Sequence, residues 1–467
     1  MLMKFIRRYP ELMVITILAL ITRVWNLFYP SSIVFDEVYF KTYAGDYLTG
    51  SYYFDPHPPL GKLLLGGWAW LLHLNPSSVV GSDPSVAIRL LPALAGAIII
   101  PVFYLFLREL KASKKVATLG ALLLLLDNAL LVESRFILID SLLILFGLSA
   151  VTLYLASRNR AGKARVVLLC FSALFAGLAA STKWTGLTAL GLIGFIWLID
   201  QVRRYKSFSW PKRLTELVIL ISLPALVYVS VFWVHFSLLT KTGQGDAFMP
   251  ARFQSTLQGN SLYDPNVHLG FREKFYDLNI EMVQSEEGLK TATHPYASKW
   301  TSWPLMIRPI YYWQGDTLSD GTQGNIYLLG NPGVWYGILI AIIAGVFAST
   351  KAWIRLKPYR LTLIFLAFGY AINFLPFSRI IRVMFLYHYL FALIFSLAFA
   401  VILIGALADW MHDGPTTWKF SSPTSRNLYF GILTFTAVLF IYFSPLSYGL
   451  PLTPESLASH MWLPSWR

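Results

Sequence analysis

Two short stretches carry the residue types that do chemistry. Phe35-Asp36-Glu37-Val38-Tyr39-Phe40 sets two carboxylates side by side. Tyr53-Phe54-Asp55-Pro56-His57-Pro58-Pro59-Leu60-Gly61-Lys62 adds a third carboxylate, an imidazole and an ammonium. Paired carboxylates at a membrane surface suit acid–base work or ion binding. The bland alternative is a polar, solvated loop. The aromatic residues and the His57-Pro58-Pro59 run argue against it, because each proline fixes its own backbone and stiffens the segment. Asp36, Glu37, Asp55 and His57 offer hard oxygen and imidazole ligands, so a divalent cation is conceivable as cofactor, but no spacing demands a metal.

The elements that position these residues are membrane helices. Hydrophobic residues make up 56% of the chain and charged residues 13%, against about 25% charged in a soluble domain. The charges cluster between long apolar runs, each long enough to cross a ~30 Å hydrocarbon core. The net charge of +14 does not indicate nucleic acid, because the basic residues fall in short loops on alternate sides of the helices, as the positive-inside rule requires. The single cysteine, Cys170, excludes an intramolecular disulfide and a cysteine metal cluster.

A pass along the chain predicts an all-α polytopic membrane protein of about eleven helices with two large outer loops. Lys4, Arg7 and Arg8 put the N-terminus inside. The first apolar run, Leu12 to Phe28, is long enough to remain as a helix. Residues 30–85 form the first outer loop, which holds the acidic stretch. Helix two spans about Val86 to Leu107, helix three Val116 to Leu131, helix four Phe136 to Ala156, helix five Val166 to Ala180, helix six Leu187 to Ile199 and helix seven Leu214 to Leu239. Arg203, Arg204, Lys206, Lys212 and Arg213 make the strongest inner signal. Residues 240–331 form the second outer loop, in which Trp300-Thr301-Ser302-Trp303-Pro304 and Tyr311-Tyr312-Trp313 read as surface or interface-seated segments. Helices eight to eleven follow, about Val334 to Ala348, one ending near Phe377, Met384 to Leu407 and Leu428 to Phe443. The reading is one membrane domain over 1–467 in a cell membrane, with its site on the extracytoplasmic face.

This topology collects further polar groups on the outer side: Arg89 in the first turn of helix two, Arg135 and Asp140 near the turn between helices three and four, Lys183 at the end of helix five, His294 in the long loop, and Arg382 and His388 at the entry to helix ten. Ionisable groups at helix depth are costly and usually functional. Each has a plainer reading: Arg89 snorkelling to headgroups, Asp140 paired with Arg135, Lys183 an interface anchor beside Trp184. Together they describe a coherent chemistry. Cations hold a lipid phosphate, a carboxylate deprotonates an acceptor hydroxyl, and the phosphate leaves as the cations stabilise its charge. That is glycosyl transfer from a lipid-phosphate sugar; a direct displacement inverts the anomeric centre and needs one base.

The same residues resemble the protein O-mannosyltransferases. The resemblance is carried, in order along the chain, by Asp36-Glu37, His57-Pro58-Pro59-Leu60-Gly61-Lys62, Ser134-Arg135-Phe136-Ile137-Leu138-Ile139-Asp140, Ser181-Thr182-Lys183-Trp184, His294-Pro295-Tyr296-Ala297-Ser298-Lys299-Trp300 and Phe385-Leu386-Tyr387-His388-Tyr389. It implies a GT-C membrane fold, a polyprenyl-phosphate mannose donor and a Ser or Thr acceptor on a protein. It makes Asp36 the favoured base with Glu37 beside it, and puts Arg89 at the donor phosphate, with Lys183 and Arg382 as further phosphate candidates. Asp55, His57, Lys62, Arg135, Asp140, His294 and His388 are supporting or acceptor-site candidates. The long loop has no room for an inserted β-trefoil (MIR) domain, so the chain looks like a bacterial or archaeal type. Two competing readings are a transferase of the same fold acting on a lipid or glycan acceptor, and a secondary transporter. The transporter predicts polar residues near the midplane on broken helices, whereas here they gather at outer helix ends.

Overall fold

The computed structural model describes residues 9–76, 79, 86–203, 210–288, 293–348, 350–413 and 418–467. Lys4, Arg7, Arg8, Arg204 and Lys206, all part of the basic inner signal, lie outside the described residues, as do residues 80–85 at the end of the first loop. Among the described residues, eight helices are long and apolar enough to cross a membrane, from Ala87–Glu109 to Pro423–Tyr448. Lys114–Leu125 and Asn128–Arg135 meet the same test together but bend by 58°. Pro10–Val24 and Pro332–Val346 are shorter, at 15 residues each, or about 22 Å at 1.5 Å per residue. These helices occupy the eleven places read from the sequence, while length and composition alone support eight spans, or nine with the bent pair taken as one.

The chain divides into two compact units that interleave along the sequence. One comprises Met1–Pro30, Ala93–Arg135 and Thr293–Arg467. Its bend after Leu125 is built by Asp127, whose Oδ1 accepts from Leu130 N at 2.9 Å and whose Oδ2 accepts from Trp335 Nε1 at 2.7 Å. The first N–H groups of a helix need such acceptors. Asn331 and Ser422 do the same for Pro332–Val346 and Pro423–Tyr448, each followed by a proline that suits a helix start. This unit also holds the exception to an otherwise helical fold: an antiparallel sheet of β1 (Ile310–Thr317), β2 (Gln323–Leu328) and β3 (Pro451–Leu452), in that order. Segments expected at a surface are partly core. Trp303 is fully buried, stacked on His388 with 5.9 Å between rings, and Tyr312 donates to Glu133 Oε2 at 2.6 Å.

The other unit comprises Ser31–Pro92 and Phe136–Ala292. The first outer loop is not a loop throughout: it folds into helices Glu37–Thr49 and Leu60–Leu71. The first ends at Gly50, whose φ of 80° is the left-handed turn that glycine adopts most readily. The extended stretch after it is pinned by Lys241 O accepting from Tyr52 N at 2.8 Å and Gly50 O accepting from Lys241 N at 3.0 Å. Beneath lies an aromatic core that includes Tyr47, Tyr52, Tyr53, Phe232, Phe236 and Phe253. Helices Asp140–Arg158, Gly162–Thr182, Leu187–Arg203 and Trp210–Leu238 make up the membrane part.

Candidate active site

Eight of the twelve candidates belong to the second unit: Asp36, Glu37, Asp55, His57, Lys62, Arg89, Asp140 and Lys183. The neighbours Asp36 and Glu37 meet different fates. Phe35 holds a left-handed backbone, φ 47°, which is rare for a bulky residue and typical of functional turns. The helix then begins at Glu37, so the pair stands at a helix start.

Glu37 is buried and saturated. Arg89 Nε donates to its Oε1 and Nη2 to its Oε2, both at 2.7 Å, and the backbone amides of Val34 and Ile137 donate at 2.9 Å. Such a bidentate, fully hydrogen-bonded pair is how a buried carboxylate is made tolerable. It ties together the first loop, the turn Val86–Arg89 and the segment entering Asp140–Arg158. Arg89 is itself fully buried, donates also to Ser32 O at 3.0 Å, and lies 5.0 Å over the Phe136 ring. Arg89, expected at the donor phosphate, holds Glu37 through Nε and Nη2. Its fork is committed to Glu37, and the snorkelling reading fails on the same burial. Glu37, expected beside the base, is paired to that fork.

Asp55 and Lys62 form a second pair at 2.7 Å. Asp55 Oδ1 also accepts from His57 N at 2.8 Å, and Lys62 donates to His57 O and Pro58 O at 2.6 and 3.0 Å. Burial would raise Asp55, but the charges of Lys62 and His57 and these hydrogen bonds outweigh it and hold the carboxyl below its ordinary range. The helix carrying Lys62 comes close to the next segment through Gly61, where a Cβ would stand 2.7 Å from Ile139 Cγ2. Asp140 and Lys183 form the third pair, at 2.7 and 2.9 Å. Asp140 therefore takes Lys183 in place of the expected Arg135. Lys183, buried at the C-cap of Gly162–Thr182, is no exposed interface anchor.

Asp36 remains. It is half-buried, its side chain does not cap the helix, and no hydrogen bond holds its carboxylate among the described residues. Burial pushes it up to about 6; Lys183 pulls it down, while Asp140 and Asp55 push it further up. A carboxyl poised near neutrality, amid three ion pairs, is what a general base needs. Reading the sequence missed Asp46, which burial also pushes up to about 6, and a buried Tyr53–Tyr47–His235 chain. His235, a histidine inside the apolar helix Trp210–Leu238, was the available signal for the latter.

The other four candidates belong to the first unit. Arg135 donates to the carbonyls of Arg23, Trp25 and Asn26 at 2.7 to 3.0 Å and sits 4.5 Å over Tyr448, so it ties chain segments together. His294 is exposed and packs edge-on to Phe385. His388 stacks on Trp303 and Tyr387. Arg382 is half-buried in the connection before the turn Leu386–Tyr389. No group of three or more acidic, His or Cys side chains among the described residues is arranged to hold a metal ion.

Residues 13–240 match the family model described as dolichyl-phosphate-mannose-protein mannosyltransferase, and residues 271–466 that of the C-terminal four-helix region of protein-O-mannosyltransferase. The chain belongs to the protein O-mannosyltransferase family. Protein O-mannosyltransferase 1 of Drosophila pseudoobscura pseudoobscura is 35% identical over 267 residues, 52% of this chain and 28% of that protein. Dolichyl-phosphate-mannose–protein mannosyltransferase 4 of Saccharomyces cerevisiae is 32% identical over 275 residues, 53% of this chain and 35% of that protein. The chain thus spans about a third of the length of these curated relatives. Among solved structures, the S. cerevisiae Pmt1-Pmt2 complex bound to the sugar donor superposes with a TM-score of 0.85 at 18% identity, covering 99% of this chain and 93% of that one. ArnT from Cupriavidus metallidurans gives 0.52 at 15% identity, covering 94% and 76%. At these identities the structures establish the fold, which is the GT-C membrane fold of the family.

Proposed function

We propose that this protein transfers mannose from a polyprenyl-phosphate mannose donor to Ser or Thr hydroxyls of proteins, at the extracytoplasmic face of a cell membrane. The observation that carries the reading is Asp36: the carboxylate left uncommitted among three ion pairs, raised to about 6. Its carboxylate takes the proton of the acceptor hydroxyl. The hydroxyl oxygen forms the new bond to the sugar's C1 as the C1–O bond to phosphate breaks. The bonding electrons leave with the polyprenyl phosphate, and the anomeric centre inverts. A hydroxyl is a poor nucleophile at neutral pH, so the positioned base is the part of the reaction the protein must supply.

In this reading Glu37 and Arg89 hold the loop that presents Asp36. Lys183, whose positive charge acts on Asp36, favours charge separation at the site. The test is transfer from polyprenyl-phosphate mannose by purified protein in liposomes, offered Ser/Thr peptides or lipid acceptors. Mannosyl peptide of inverted configuration supports the reading. Product on lipid alone moves the chain to the lipid-acceptor reading, and sugar flux without product to the transporter.

A further inference from the structure

His235 lies inside the membrane-spanning helix Trp210–Leu238 and is 2% exposed. Tyr53 Oη donates to Tyr47 Oη at 2.8 Å, and Tyr47 Oη lies 2.7 Å from His235 Nδ1. With its oxygen accepting from Tyr53, Tyr47 turns its own proton to His235 Nδ1, its other hydrogen-bond partner among the described residues. Nδ1 is therefore an acceptor, and the neutral ring carries its proton on Nε2. That Nε2 is buried and reaches no acceptor among the described residues. Buried donors are nearly always satisfied.

The ring borders a small cavity also lined by Asp55, His57 and Lys62. The space open to the centre of a water molecule there is about 10 Å³, at the lower limit for one water. Lys62 has spent its three N–H groups on Asp55 Oδ1, His57 O and Pro58 O. Asp55 Oδ1 already takes Lys62 and the His57 amide. The second oxygen, Oδ2, is the carboxylate acceptor with capacity to spare.

We propose that one ordered water sits in this cavity, accepting from His235 Nε2–H and donating to Asp55 Oδ2, which makes His235 a positioning residue for the acidic site. The chain Tyr53–Tyr47–His235–water–Asp55 then anchors a carboxylate whose charge acts on Asp36. The catalytic consequence rests on the reading of Asp36 as base; the water itself does not.

A high-resolution cryo-EM map of the full-length protein, with kinetics of two variants, tests this. The wild-type map should show one water within hydrogen-bond distance of His235 Nε2 and Asp55 Oδ2. His235→Phe should lose that water and lower kcat about ten- to a hundred-fold, as small displacements of catalytic groups do. Its donor KM should stay within about twofold of wild type, because binding contacts are untouched. His235→Gln, which keeps an N–H at similar reach, should recover most of the rate. A dry cavity in the wild type overturns the proposal, as does wild-type kcat in His235→Phe, or His235→Gln no better than His235→Phe. If His235→Phe does not fold, the map and the His235→Gln rate decide. If the water is present but Asp36→Asn transfers normally, the base assignment fails and the water site stands.

Discussion

The acidic segment from Asp36 to Lys62 and the aromatic segments His294–Trp303 and Phe385–His388 hold their polar groups by opposite means. In the first, charge is answered by charge: Glu37 by Arg89, Asp55 by Lys62. In the second, rings are answered by rings: Trp303 on His388, His294 against Phe385. Ion pairs in a buried setting are costly to form and more costly to half-break. Spending three of them around Asp36 makes sense where one carboxylate must stay unpaired at a fixed place. Stacked rings tolerate exchange of one member for another, so the aromatic segments should give way more gently.

Removing Arg89 should have the largest structural effect. Arg89→Ala leaves the Glu37 carboxylate buried and uncompensated, and should cost about 3–5 kcal/mol of stability. Thermal unfolding in detergent checks it, and Arg89→Ala together with Glu37→Leu should recover part of the loss. A variant as stable as wild type would show that the pair does not tie the loop down.

Next is the pair at the end of Gly162–Thr182. Lys183→Met removes the cation that pulls Asp36 downward, so the Asp36 carboxyl should rise above 6. The transfer rate should then need a higher pH to reach its plateau. An unchanged pH–rate profile would separate Lys183 from Asp36.

In the wild type itself the sign is set by the same shift. A raised carboxyl is protonated, and useless as a base, below its pKa. Transfer should therefore rise with pH through about 6 and level off above it. Asp46 is also near 6, so the break must persist in Asp46→Asn to be Asp36's own. A break near the ordinary value of 3.8 would contradict the burial argument.

The smallest effect belongs to the aromatic side. His388→Phe keeps the stack on Trp303 and loses the Nδ1 contact with Phe385 N at 3.2 Å, worth about 1 kcal/mol or less. Loss of transfer without loss of stability would instead give His388 a part in the chemistry.

The helices were legible because apolar length is a local signal. So was the acidic motif, because its residue types are rare beside an apolar run. Two things were not. Glu37–Thr49 and Leu60–Leu71 are short, and the first mixes Lys, Thr, Asp and Tyr without a clear apolar stripe, so both read as loop. The pairing of charges is long-range: Glu37 with Arg89 across 52 positions, Asp140 with Lys183 across 43, Tyr47 with His235 across 188. No periodicity encodes those partners. The plainer reading of Asp140 looked to the nearer Arg135, whereas Lys183 is its partner.

The central claim is that Asp36 alone of its neighbours is free to act as base. Single-turnover transfer by Asp36→Asn, with donor binding measured on the same sample, tests it directly. The amide keeps the shape and removes the basicity, so the rate should fall about 10²- to 10⁴-fold while donor binding holds. Near wild-type transfer by Asp36→Asn would contradict it.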